Sequence, residues 1–175
     1  MELPGAGYLY NLSLLAVTFA TVSALVMLVR QTLGGKLSNF DIFLIRGFLS
    51  FSFFVAFAAI LPPLAALSDA AVQVLWPLTS TVAAILLGLN LYTIIVRRRK
   101  ATRKPAPAGV MIRNLVHGMA IALLVLNALV PAVQGVALYA AALTLCLGNM
   151  MWAFVRRITS LLGEKPSRDW DPRRS

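Results

Sequence analysis

Five polar side chains interrupt otherwise aliphatic stretches at a common distance from a basic residue or a helix start. Ser23 lies seven residues before Arg30, Asn90 seven before Arg97 and Asn149 seven before Arg156. Arg46 follows Asn39 by seven, and His117 follows Val110 by seven. If each belongs to a membrane-crossing helix, a rise of about 1.5 Å per residue puts all five roughly 10 Å inside the same boundary. Arg113 and Asn114 lie one turn from His117 and would form the mouth of a polar pocket centred on Arg46 and His117. Such a pocket could hold an anionic group or respond to pH. The plainer expectation from the same residues is interhelical hydrogen bonding, at about 0.6 kcal/mol per pair, with Arg46 snorkelling to the interface. Shared depth does not put side chains on facing surfaces, so convergence on the interior decides between the two.

Other chemistries lack their residues. No carboxylate lies deep in an apolar stretch, since Asp41 and Asp69 sit at helix starts, so paired carboxylates for acid–base work are missing. The single histidine, His117, and the single cysteine, Cys146, cannot make a metal site of three or four ligands within one chain. A bis-histidine haem would need His117 to pair with its copy across a dimer. Neither a phosphate-binding glycine loop nor a nucleophile elbow is present. The expectation is therefore a protein without catalytic residues, metal or cofactor.

The elements that must position the polar residues are organised around one basic run, Arg97, Arg98, Arg99, Lys100, Arg103 and Lys104, which follows some twenty apolar residues. Such a run resists transfer across a membrane and holds its side of the chain in the cytoplasm. The same charges suit contact with anionic lipid headgroups, at about 1 kcal/mol per basic residue near the surface. Of 175 residues, 59% are hydrophobic and 13% charged, with a mean hydropathy of +0.82. A soluble domain would be about a quarter charged, so the solvent is lipid. The net charge of +10 sits at the ends of apolar spans, which speaks for topology and against nucleic acid.

Spans are expected at about 8–29, 39–61, 71–96, 110–130 and 132–155. The first lacks a basic region before it and a cleavage site after it, so it reads as a retained span. Tyr8 and Tyr10 suit an interface, and Ala16, Ala20 and Ala24 form a small-residue strip, as do Ser80, Ala84 and Gly88. Ser38 and Asp41 resemble a capping box for the second helix, which is expected to end at Pro62-Pro63; Ser68 or Asp69 would cap the third. Pro77 should kink that third helix or mark its true start. The phenylalanines Phe48, Phe51, Phe53, Phe54 and Phe57 read as a packing or lipid-facing surface. One helix over 110–155 would reach about 70 Å, more than twice the membrane core, so a hairpin near 127–134 is the better reading.

The fold class that follows is all-α, a five-span transmembrane domain over 1–163, N-terminus outside and C-terminus cytoplasmic, with a mobile tail at 164–175. All sixteen Lys and Arg then fall on the cytoplasmic side or in its half of a span, and only Glu2 and Asp69 lie outside. The expected function is a non-enzymatic protein of the bacterial cytoplasmic (inner) membrane that packs against other membrane helices, as homo-oligomer or accessory subunit. The alternative is a small oligomeric transporter or channel with a cytoplasm-facing pocket from Ser23, Arg46, Asn90, Arg113, Asn114, His117 and Asn149.

Overall fold

A computed structural model describes residues 3–32, 39–67, 72–101 and 108–163. They form five helices: α1 (Ala6–Thr32), α2 (Asn39–Ala66), α3 (Val72–Ala101), α4 (Ala108–Leu129) and α5 (Val136–Gly163). Each contains at least 21 consecutive residues apolar enough to cross a membrane. At about 1.5 Å per residue, such a stretch matches a hydrocarbon core of about 30 Å. Helices suit that solvent because they satisfy their backbone groups internally. Many hydroxyls do the same by bonding back one turn: Ser23 donates to Phe19 O at 2.7 Å, Ser52 to Phe48 O at 2.8 Å and Thr79 to Leu75 O at 2.7 Å.

The helices alternate in direction, as side-chain pairs along them show. Tyr8 meets Thr144 at 2.7 Å, which brings the beginnings of α1 and α5 together. Trp76 of α3 packs against Tyr139 of α5 with centroids 5.9 Å apart and planes tilted by 56°, again near two beginnings. Tyr139 also reaches Ala58 late in α2, and Asn127 late in α4 reaches Ser80 early in α3. One end of the bundle thus carries the beginnings of α1, α3 and α5. The other carries Arg30, Arg46, Arg97, Arg98, Arg113 and Arg156, and is called the basic end below.

The core between the ends is apolar. Phe19 of α1, Phe48 of α2 and Phe154 of α5 meet edge to face, with centroids 5.2–6.4 Å apart. Phe48 and Phe51 are buried, whereas Phe53 and Phe57 are exposed, so α2 divides its phenylalanines between core and surface. Ala16 and Ala20 lie in the core, but Ala24 is exposed. A strict four-residue step advances about 400°, so the strip drifts off the contact face after two turns.

Two boundaries differ from the sequence reading, at the end of α2 and the start of α5. α2 runs through Pro62 and Pro63 to Ala66 instead of ending at the prolines. Pro62 has no N–H for the carbonyl four residues before it, which is that of Ala58. The Tyr139 hydroxyl donates to this carbonyl at 2.6 Å, so the acceptor that Pro62 frees is satisfied. The start of α3 at Val72 agrees with that reading, and Pro77 lies inside the helix instead of marking its start. The last helix begins at Val136, not near 132, because a 3-10 turn over Pro131–Val133 comes first. The expected caps Ser38, Ser68 and Asp69, the Asp41 side chain and the tail 164–175 lie outside the described residues.

Gly5 fixes the entry to α1. Its φ of +80° is the left-handed region, and a Cβ there would lie 2.5 Å from Val136 Cγ2.

Candidate functional site

Two polar clusters are buried in the bundle. The first lies near the end opposite the basic residues. Asn127, fully buried in α4, donates from Nδ2 to Ser80 Oγ at 2.8 Å. Its Oδ1 accepts the Gly135 N–H at 2.9 Å, just before α5 begins, and Gln134 Nε2 donates to Ala128 O at 3.2 Å. Tyr139 adds its bond to Ala58 O. Both polar side-chain atoms of Asn127 are paired, and with the Tyr139 bond this cluster ties α2, α3, α4 and α5 together.

The second cluster lies nearer the basic end. Arg113 and His117 are one turn apart on α4, and Asn149 faces them from α5. His117 is buried, with Phe51 of α2 set edge to face at 4.7 Å and 85°. His117 Nδ1 stands 2.7 Å from the Arg113 carbonyl oxygen. A carbonyl only accepts, so Nδ1 carries a proton and donates. Asn149 Nδ2 donates to the same oxygen at 3.1 Å, and its 2.9 Å approach to Nδ1 is that of two donors sharing one acceptor. The other imidazole nitrogen, Nε2, is buried and has no hydrogen-bond partner among the described residues.

His117 lines a small, partly enclosed cavity of about 30 Å³ with Arg113, Asn114, Gly47, Leu91 and Met150 among its neighbours. That is room for about one or two water-sized groups. The cavity lies between α2, α3, α4 and α5, and its polar groups come from α4.

Of the residues read as a polar layer, Arg113, Asn114 and His117 line this cavity, and Asn149 shares the Arg113 carbonyl with His117 without lining it. Ser23 is buried but bonded within its own helix. Asn90 is half-buried, and Arg46 is exposed; neither is among the described lining residues. Arg46 cannot centre the pocket for an angular reason. Its neighbour Gly47, about 100° further round α2, faces the cavity instead. In the basic run, Arg97 is exposed and Arg98 half-buried; the side chains of Arg99 and Lys100, and all of Arg103 and Lys104, lie outside the described set. Arg156 stacks over Trp152 at 4.9 Å. The cluster of Asn127, Ser80 and Tyr139 was not singled out from the sequence. Its available signal was a tyrosine and an asparagine inside apolar spans.

Five apolar spans, alternating in direction and packed on one core, make this an all-helical, multi-pass integral membrane protein. Comparison with family models, curated proteins and solved structures found no match.

Proposed function

We propose that the protein is a non-catalytic component of the bacterial cytoplasmic membrane that docks against a transmembrane helix of a neighbouring chain, either its own copy or a partner subunit. The observation that supports this is an open groove between α1 and α5. Ala140, Thr144 and Gly148 follow one another at four-residue spacing on the groove side of α5, opposite Tyr8 and Asn11. Its two adjoining parts hold about 640 and 240 Å³. Small residues let helix backbones approach closely, which is how helices associate where lipid is as apolar as leucine. Asn11 is exposed on α1 and makes no side-chain hydrogen bond among the described residues, so a docking helix would give it a partner.

In this reading the basic end faces the cytoplasm and the N-terminus lies outside, because short loops rich in Lys and Arg stay inside. Arg97, Arg98, Arg99, Lys100, Arg103 and Lys104 then meet anionic headgroups of that leaflet. A cytoplasm-only reporter fused after Arg99 or Arg174 should be active, and one after Ala66 or Gln134 silent.

The docking claim has its own test. A Cβ at Gly148 would meet nothing within 4 Å, so Gly148→Leu can enter the groove without a backbone clash. Mild-detergent extracts should contain the wild type as an oligomer or with a second membrane protein, and Gly148→Leu as a monomer. A wild-type chain that is monomeric and alone, or a complex indifferent to Gly148→Leu, overturns the proposal.

A second reading, a small transporter or channel assembled from several copies, draws on the cavity beside His117. Beyond Phe48 the interior of one chain is filled by Phe19, Phe154, Leu124 and Leu143. A continuous pathway would therefore have to run between copies.

A further inference from the structure

Arginines from three helices gather over the beginning of α4. Arg113 lies in the second turn of that helix, on the stripe shared by the buried His117, Ala120, Leu124 and Asn127. Its carbonyl accepts from His117 and Asn149, so its place on α4 is fixed. Arg98, late in α3, is near enough for the two charges to act on each other. Arg156 of α5 turns back across α4, with Nη1 3.6 Å from where a Cβ of Gly109 would stand, one turn before Arg113. Its guanidinium also lies over the ring of Trp152 at 4.9 Å, and both of those side chains are exposed. Orientation in a membrane asks only for charge in the connecting loops. It does not ask an arginine to stand inside a span, or the last helix to lay one over its neighbour. Like charges held together at a helix N-terminus create a local field that draws an anion.

We propose that Arg98, Arg113 and Arg156 form a binding site for the phosphate of an anionic membrane lipid, their guanidinium groups donating to its oxygens at the basic end of the bundle. This site rests on the reading that the basic end meets anionic headgroups, and it narrows a charged surface to one place between α3, α4 and α5. Arginine suits it because a planar fork of N–H donors pairs with two phosphate oxygens at once. What selects a lipid over a free anion is the apolar surface beside the charges. Trp152 is exposed beneath Arg156, and indole rings collect at the level of headgroups. Ile112 and Met119 are exposed on the side of α4 that runs on from Gly109 toward the middle of the bundle, where acyl chains lie. Arg46 carries the same charge at the same end, but it stands on α2, outside this group.

The test compares ligands and then arginines. The full chain, purified in a neutral detergent and freed of bound lipid, is titrated with phosphatidylglycerol, with phosphatidylcholine of the same acyl chains, and with sodium phosphate. Thermal unfolding and lipid adducts in native mass spectra are the readouts. Phosphatidylglycerol should raise the unfolding midpoint and remain bound one to one, while the other two should do neither. Arg113→Gln or Arg156→Gln should weaken that binding about tenfold, the value of one lost hydrogen bond to a charged group. Arg46→Gln removes the same charge from the same end and should change it less than about twofold, because an exposed distant charge is screened. Equal losses in all three variants would make the effect a diffuse field and overturn the site. Phosphatidylcholine or free phosphate acting as well as phosphatidylglycerol would overturn it too. So would silence with every titrant, the result expected if a carboxylate of the chain already fills the place. The lipid comparison on the unmutated protein stands even if Arg113→Gln fails to fold. Detergent gives lipid access to both ends, so this test and the reporter fusions succeed or fail independently.

Discussion

The two buried asparagines of this bundle occupy similar surroundings and do different things. Asn127 uses its carbonyl on Gly135 and its amide on Ser80, and the helices around it are closed. Asn149 gives its amide to the Arg113 carbonyl beside a histidine whose second nitrogen has no partner among the described residues and which lines a cavity. A buried polar network rigidifies a fold when its members are paired, and an unpaired member is costly. The end opposite the basic residues is therefore a lock. The cluster nearer the basic end has an incomplete shell.

The contrast is broken most easily at the lock. Asn127→Leu strands the Gly135 N–H and leaves Ser80 without its donor, and should destabilise the bundle by about 2–3 kcal/mol. Unfolding by SDS titration in mixed micelles measures this, and a change below 1 kcal/mol, within about the average for a membrane hydrogen bond, would mean the lock is not one.

Next comes the bond that lets α2 continue through its prolines. Tyr139→Phe removes the donor to Ala58 O and should cost about 1–2 kcal/mol. In a Pro62→Ala background the new N–H at position 62 can bond that carbonyl, so the same tyrosine substitution should cost about half as much or less. Equal costs in both backgrounds would separate the tyrosine from the proline.

Gly5→Ala is expected to cost about 1–2 kcal/mol through its left-handed backbone, more if Val136 cannot give way. The comparison is sharpened at the other cluster by an effect that should be smaller. His117→Phe removes the unpaired Nε2 together with the Nδ1 bond to Arg113 O, keeps a flat ring against Phe51 and leaves Asn149 donating to that oxygen. Because the carbonyl keeps one donor, the loss should be about 0.5–1.5 kcal/mol. A loss as large as that of Asn127→Leu would make both clusters structural. Smallest of all, Arg46→Gln should leave stability unchanged, since Arg46 is exposed.

Local properties of the chain were legible without coordinates. Hydropathy over some twenty residues is a property of each segment alone, and it marked all five spans and the hairpin of α4 and α5. Depth along a helix is equally local, so His117 and Asn149 could be placed at one level by counting from Val110 and Arg156. Direction around a helix is not local, because it depends on which neighbours pack there. That is why Arg46 and Asn90 share the depth of His117 without lining its cavity, while Gly47 and Leu91 do. The continuation of α2 past Pro62 was hidden for the same reason: the donor that makes it tolerable lies 81 residues from Ala58 along the chain. Only tertiary structure brings the two together, since a proline states which carbonyl it frees and says nothing of what will satisfy it.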